Sequence, residues 1–261
     1  MVYENIIYPG NHLIKQYIHS FWILKSDDRE LYLLPPDKYL NLILSYKSNT
    51  TVIKNGSISN SVTGSFIVGM RTSPVFLLPD GDVEYLGIEF YPYGLRTFLG
   101  FNCAGITNTF LEISLLKNEL NEALKPAINN FYSEEKRIEI IEQRLLTLLH
   151  KITSIPDKQT VRAFNIIEKS NGLIPVNKIC DSIGISARQL NRDFERFIGI
   201  SPKLYSRIVR FNNFLENMKC FSSFNGFADL ANYCGYTDQS HMIHECADFT
   251  GITPSELLNK F

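Results

Sequence analysis

Residues 184–202 of this chain read GISARQLNRDFERFIGISP, and residues 235–254 read GYTDQSHMIHECADFTGITP. Each stretch opens on a glycine followed two positions later by Ser or Thr, and each closes on Gly-Ile-Ser/Thr-Pro. The opening glycines lie 51 residues apart and the closing glycines 52, so a helix-turn-helix is repeated with one residue added. Because two such units in one chain fit two successive major grooves, the repeat predicts sequence-specific binding to double-stranded DNA.

The first repeat has the pattern of a helix with a basic outer face. Ser186 is a good N-cap, and Leu190, Phe194 and Phe197 follow at the spacing of one buried helix face. Arginine can form two hydrogen bonds with guanine, and asparagine can do the same with adenine. We therefore predict DNA contacts on the opposite face, with a merely solvated basic face as the alternative. That face carries Arg188, Asn191, Arg192 and Arg196.

The second repeat predicts a less charged surface. Met242, Cys246 and Phe249 take the inner positions. The outward positions carry Gln239, Ser240, His241 and His244. These side chains can bond to bases or phosphates. The two histidines are also spaced like a metal pair, but no carboxylate or thiolate stands at ligand spacing beside them, so no metal site is predicted.

Charge divides the two repeats. Residues 178–210 hold seven basic and three acidic residues, whereas residues 221–261 hold one basic and five acidic residues. Since phosphate attraction drives affinity for DNA, we expect the first unit to supply most of the affinity and the second to adjust site preference.

The segment between the repeats predicts a connecting helix. Ser201-Pro202 is a strong helix start, and a helix to about Lys219 would be about 28 Å long. Adjacent major-groove segments on one DNA face lie about 34 Å apart, so the connector has the right scale. Arg207 and Arg210 lie one turn apart on it and are candidate phosphate contacts or solvated cations.

The first 105 residues predict β-strands. Leu40–Tyr46, Val75–Leu78 and Tyr85–Tyr91 are short apolar stretches rich in aromatic and branched residues, which favour strands. Lys54–Ser57 contains Asn-Gly, the strongest signal for a two-residue hairpin turn. Many short strands divided by turns indicate an antiparallel barrel or sandwich.

Residues 111–151 change to a helical period. Apolar residues recur at steps of three and four, which predicts a helix that packs on its own domain or forms a homodimer. They are Ile138, Ile141, Leu145, Leu148 and Ile152. Ser154–Asp157 breaks the pattern. The chain therefore predicts an α+β protein with a β-rich regulatory domain at 1–110, a helical linker at 111–155 and an all-α DNA-binding domain at 156–261.

Composition favours an ordinary globular protein. The chain has 261 residues, 44% hydrophobic and 20% charged, with a formal net charge of −1. No apolar run approaches the length of a membrane span, and Met1–Asn5 has no basic leader pattern, so we expect a cytoplasmic protein without membrane contact. The five cysteines lack metal-binding or disulfide spacing and are expected to be reduced, and no cofactor is predicted.

From about Asp157 to Phe261 the chain resembles the seven-helix, double helix-turn-helix domain of the AraC/XylS transcription regulators. The residues that carry this resemblance are Asp229-Leu230-Ala231, Cys234–His241 and Phe249–Pro254. The resemblance implies that the helices beginning at Ser186 and Asp238 enter adjacent major grooves and that the protein contacts RNA polymerase. It implies base contacts by Arg188, Asn191, Arg192, Gln239, Ser240 and His244. His244, Cys246 and Ala247 stand where the family usually has Arg, Phe and a basic residue.

The N-terminal region resembles the effector or oligomerisation domains of such regulators. The landmarks are Tyr17-Ile18 with Phe21-Trp22, then Leu34–Asp37 and Gly87–Pro92, while Lys38 replaces a common glycine. The resemblance implies a cupin-like β-barrel and a small-molecule effector. Trp22, Tyr39, Phe90 and Tyr93 are candidates to line its pocket, with a core role as the alternative.

Three function classes can be compared for a chain with a predicted DNA-binding domain and a predicted β-rich domain. A transcription regulator is favoured, and the pattern is compatible with activation and with repression. A nonspecific architectural DNA-binding protein should spread its basic charge more widely. A cupin-type enzyme with a nucleic-acid-binding appendage needs clustered histidines, but His12 and His19 are the only ones before His150, and no catalytic motif is present, so we predict no enzyme activity.

Overall fold

A computed structural model describes residues 5–27, 29–100, 102–116, 119–128, 132–152 and 157–259. Its N-terminal part is built from antiparallel strands in a six-stranded and a four-stranded sheet, which confirms the predicted β-rich region. In sheet order, the first contains β1 (Asn5–Ile7), β2 (Ile18–Ser26), β9 (Val83–Phe90), β4 (Leu40–Ser45), β7 (Phe66–Val68) and β10 (Phe110–Glu112). The second contains β3 (Tyr32–Leu34), β8 (Val75–Pro79), β5 (Thr50–Lys54) and β6 (Ser57–Val62).

The predicted hairpin joins β5 to β6. Asn55 and Gly56 have φ values of 50° and 73°, the positive values that a two-residue turn requires. The hairpin prediction is therefore confirmed, and the short loop fixes the register in which the two strands pair.

Two cores form on the two faces of the larger sheet, because side chains alternate along a strand. Trp22 pairs with Gly87 and packs between the sheets, where a Cβ at Gly87 would overlap the indole ring. Phe21 pairs with Ile88 and packs on the opposite face, with the helices that cover it. The glycine is therefore required by the bulk of its cross-strand neighbour.

Two features depart from the predicted N-terminal strands and boundary. Residues 92–99 form a helix, α1 (Pro92–Leu99), within the stretch predicted as strands, because Pro92 occupies its first turn and its residues are buried against the sheet. Strand β10 crosses the predicted boundary at residue 110 and pairs with β7, with Leu111 opposite Ile67. Pairing with a distant strand extends the sheet domain to residue 112.

The linker packs on the sheet domain. It contains α2 (Glu119–Leu124) and α3 (Glu134–Leu149), and Arg137 of α3 forms an ion pair with Glu84 of β9 at 2.9 Å. Four of the periodic residues named above lie on α3 and are at most 7% exposed, namely Ile138, Ile141, Leu145 and Leu148. Ile152 follows the helix and is half-buried. That face is covered within the chain, so it is not available for a dimer. The predicted break at 153–156 lies outside the described residues.

Residues 157–259 fold into the seven helices predicted for the C-terminal domain. Asp157, Ser186, Ser201, Asp238 and Thr253 each cap a helix through a side-chain oxygen. The helices are α4 (Lys158–Lys169), α5 (Val176–Ile183), α6 (Ala187–Phe197), α7 (Pro202–Met218), α8 (Phe227–Tyr233), α9 (Gln239–Thr250) and α10 (Pro254–Leu258). Within the described part of the chain, no helix has the length and apolar character that crossing a membrane requires.

Candidate DNA-binding surface

The first helix-turn-helix unit consists of α5 and α6. Gly184 ends α5 with φ 73°, and its amide donates to the Cys180 carbonyl oxygen at 2.9 Å. The Ser186 hydroxyl then accepts from the Gln189 amide at 3.1 Å and starts α6. Leu190 and Phe194 are fully buried, and this fixes how α6 is rotated about its axis.

The rotation of α6 exposes the four predicted contact residues, Arg188, Asn191, Arg192 and Arg196. The Arg192 side chain is 73% exposed, with its Nε atom 3.4 Å from Asp193 Oδ1. The Asn191 side chain donates to the Ala187 carbonyl oxygen at 2.9 Å, and the Arg196 guanidinium lies 5.5 Å from the Phe197 ring centre. The structure therefore brings these residues together on one polar, mainly cationic surface.

The second unit consists of α8 and α9 and repeats the backbone of the first. Gly235 follows α8 with φ 76°, and Asp238 Oδ1 accepts from the His241 amide at 2.8 Å. Met242 and Cys246 are fully buried, which places Gln239, Ser240 and His244 on the exposed side. His241 is only half-buried rather than fully outward, because its ring meets the edge of Tyr236 at 5.3 Å.

Both candidate phosphate-binding residues of α7 have partners inside the domain. The Glu245 side chain on α9 is 1% exposed and lies between them. Arg207 Nε donates to Glu245 Oε2 at 2.8 Å, and Arg210 Nη2 donates to the same oxygen at 2.9 Å. Phosphate contact by these arginines stays a prediction, while the structure shows a second role that the sequence analysis missed. The sequence did contain a signal for this role. Glu245 lies on the side of α9 that the pattern predicts to be buried, and Arg207 and Arg210 lie one turn apart on α7.

The four predicted pocket residues do not come together. Trp22 faces the space between the sheets and donates from Nε1 to Asn41 Oδ1 at 2.8 Å. Phe90 lies an odd number of residues from Gly87, the partner of Trp22, so it faces the other side and packs on Phe98. A single pocket lined by all four residues is therefore wrong.

Tyr39 and Tyr93 instead belong to an aromatic cluster at the junction of the two domains. Tyr39 stacks on His19 at 4.2 Å, and Tyr93 stacks on Tyr91 at 5.8 Å. Phe164 of α4 meets the edge of the Tyr93 ring at 5.0 Å. Rings from the sheet domain thus pack directly on the first helix of the C-terminal domain.

A short loop after β3 joins the domains through polar contacts. The Lys38 amide donates to Asn212 Oδ1 at 2.7 Å, and Asn212 Nδ2 donates to the Pro36 carbonyl oxygen at 2.9 Å. Lys38 Nζ lies 3.3 Å from Glu216 Oε1. Lys38, which departs from the family pattern, is therefore a contact residue of the junction with α7.

Ionisable groups at and near the junction have shifted pKa values because they are desolvated. Burial raises the pKa of Glu89 to about 8, although a hydrogen bond from the Ser20 hydroxyl opposes the shift. Burial lowers the pKa of His19 to about 4. Burial also raises the pKa of Glu168, whose Oε1 accepts from the Tyr205 hydroxyl at 2.6 Å. Desolvation therefore favours the neutral forms of His19 and Glu89.

The first unit also packs on the sheet domain. Thr107 Oγ1 donates to the Gly199 carbonyl oxygen at 2.8 Å, directly after α6. The Arg96 guanidinium of α1 lies 4.1 Å from the centre of the Phe197 ring at the end of α6. The C-terminal end of α6 is therefore anchored, while its predicted contact face remains exposed.

Family models match both parts of the chain. Residues 179–260 match a family described as a helix-turn-helix domain, and this range contains both units. The C-terminal domain is of the AraC/XylS type. Residues 6–112 match a family described as a domain of unknown function (DUF6597). The matched range ends at Glu112, the last residue of β10.

A regulator of known sequence and two solved structures extend the likeness. The chain is 22% identical over 158 residues to the HTH-type transcriptional regulator ArgR of Pseudomonas aeruginosa, covering 60% of this chain and about half (47%) of that protein. It matches the structure of ToxT from Vibrio cholerae with a TM-score of 0.52 and 15% identity, over 92% of this chain and 97% of that one. ToxT bound to (E)-4-(8-methylnaphthalen-1-yl)but-3-enoic acid gives the same TM-score and coverage at 14% identity. These structures share the fold, a β-rich N-terminal region followed by the helical domain.

Proposed function

We propose that this protein is a sequence-specific DNA-binding transcription regulator whose reading helices, α6 and α9, enter adjacent major grooves. The observation that carries the proposal is the repeated unit itself. Both units have a capped second helix with a buried apolar face and a polar outer face. Base and phosphate contacts are assigned to Arg188, Asn191, Arg192, Arg196, Gln239, Ser240, His241 and His244.

The connector supports simultaneous use of both helices. Helix α7 has 17 residues, which makes it about 25 Å long at 1.5 Å per residue. Groove segments on one face of DNA recur about every 34 Å, so a rigid connector of this length leaves room for a reading helix at each end.

The N-terminal domain is proposed to control DNA binding through the junction. Lys38 and Asn212 connect it to α7, and Arg96 and Thr107 connect it to the end of α6. A small-molecule effector or a homodimer that alters these contacts would reach both units, since α7 lies between them. We also propose that the protein contacts RNA polymerase and that it is located in the cytoplasm.

Footprinting of the full chain on genomic DNA, with excess nonspecific competitor, tests the proposal. A discrete protected site across two successive major grooves on one DNA face is expected. Asn191→Ala should weaken protection at one part of this site. Asn165→Ala is the matched control, because it removes an exposed asparagine of α4, outside both units. Uniform coverage without a discrete site would instead favour an architectural protein.

A further inference from the structure

We infer that Glu245 is a positioning residue that fixes α9 on α7 and so sets the spacing between the two reading helices. The inference rests on the proposed function, because spacing has meaning only when both helices read DNA. Glu245 itself is buried and does not face the predicted DNA surface.

Both oxygens of Glu245 are occupied by arginines of another helix. Besides the two bonds to Oε2, Oε1 accepts from Arg210 Nε at 3.2 Å and from Arg210 Nη2 at 3.1 Å. Charge-assisted bonds of this kind are short and directional. Apolar contacts tolerate a small slide of one helix along another, whereas a fork of hydrogen bonds to one carboxylate does not. The pair of arginines therefore fixes both the rotation and the height of α9.

The same arginines also hold the surroundings of α9. The Arg210 guanidinium lies 4.9 Å from the Tyr236 ring centre, and the Arg207 guanidinium lies 5.1 Å from that of Phe249. Tyr236 in turn supports His241, one of the predicted DNA contacts. The network thus runs from the connector through the turn of the second unit to its reading helix.

The first reading helix is tied to the same connector by different means. Phe194 of α6 and Tyr205 of α7 are fully buried and meet edge to face, with ring centres 6.0 Å apart. Asp193, which occupies the position of Glu245 in the first repeat, has its ion pair with Arg192 on its own helix. Both reading helices are therefore positioned relative to α7, and an ion pair between helices holds the second.

Changing the separation of the half-sites tests this inference. One inserted base pair moves a half-site by about 3.4 Å along the DNA and rotates it around the axis. The full-length wild-type protein should lose at least about tenfold in affinity for the footprinted site after this insertion, in line with the cost of a defect in a specific contact.

Glu245→Gln should change this spacing dependence. It keeps the size of the side chain but removes the charge that holds two arginines. We expect about tenfold weaker binding to the native site and a clearly smaller further loss after the insertion. Binding to DNA with only the first half-site intact should equal that of the wild-type protein. Asp248→Asn is the matched control, because Asp248 is 67% exposed and contacts Arg207 at 3.3 Å, and it should keep wild-type spacing dependence.

The outcomes separate the two proposals. If no DNA gives a discrete site with the wild-type protein, the proposed function is wrong. If a site exists but Glu245→Gln keeps the spacing dependence of Asp248→Asn, the positioning role is wrong. Circular dichroism checks folding, and Arg210→Lys serves as a second variant if Glu245→Gln does not fold. Arg210 donates to both oxygens of Glu245, and lysine keeps its charge without the forked geometry, so unchanged spacing dependence in Arg210→Lys would then overturn the role.

Discussion

The two helix-turn-helix units share a backbone but use their polar side chains differently. In the first unit, Arg188 and Arg192 stand exposed on the reading helix. In the second, the reading helix exposes Gln239 and Ser240, and its acid Glu245 is turned inward to the arginines of α7. The same backbone thus presents a cationic surface on α6 and a neutral surface on α9, and ion pairs with α7 hold α9 in place.

This difference shows why charge counted along the chain overstates the contrast between the units. Arg207 and Arg210 were counted with the first unit, and Glu245 and Asp248 with the second. In the structure these four residues pair with one another. Part of the difference in net charge between the units is therefore taken up by ion pairs inside the domain. The remaining positive charge of the first unit lies on the exposed arginines of α6.

The largest expected difference between the units lies in their cores. Phe194 and Cys246 occupy equivalent positions and are both fully buried. Phe194→Ala should lower the free energy of unfolding by about 3–5 kcal/mol, whereas Cys246→Ala removes one heavy atom and should cost about 1 kcal/mol. Chemical denaturation of both variants measures the difference. Equal losses would mean that the second unit packs as tightly around its smaller side chain.

The next comparison concerns how each unit meets the sheet domain. Gly199 and Gly251 are equivalent, with φ values of 93° and 76°, so alanine should cost about 1–2 kcal/mol of backbone strain at either. A Cβ at Gly199 would also lie 2.5 Å from Thr107 Oγ1 and 2.9 Å from the Cys103 carbonyl oxygen, whereas at Gly251 the nearest atom is Pro74 Cγ at 3.9 Å.

Gly199→Ala should therefore cost about 1–3 kcal/mol more than Gly251→Ala, because of the added overlap at the junction. Thermal unfolding measures the stability, and limited proteolysis between the domains reports whether the junction has loosened. Equal losses of stability in the two variants would show that Thr107 and Cys103 move to accommodate the added Cβ at Gly199.

The features that the sequence predicted are local ones. Ser186 and Asp238 were recognisable as caps, and the spacing of Leu190 and Phe194 determined which side of α6 is exposed, because helix geometry repeats over a few residues. The Asn55-Gly56 turn was predictable for the same reason. These features depend on neighbouring residues in the chain.

The features that the sequence did not predict depend on distant partners. Trp22 and Phe90 were grouped because both are aromatic, but strand register sets them on opposite faces of one sheet. The contact of Lys38 with Asn212 joins residues 174 positions apart. The pairing of Arg210 with Glu245 likewise requires the crossing of α7 and α9, which a one-dimensional pattern does not contain.

The smallest expected difference between the units is in how strongly the exposed faces of α6 and α9 bind DNA. Arg192→Ala should weaken binding to the footprinted site by about 1–3 kcal/mol, and if Arg192 contacts phosphate it should also lower the salt dependence by about one counterion. His244→Ala should weaken binding less, because α9 has no lysine or arginine and contributes through hydrogen bonds. Fluorescence anisotropy titrations at several salt concentrations separate the two variants. Equal losses with equal salt slopes would contradict the asymmetry and make the second unit a full contributor to affinity, despite its neutral surface.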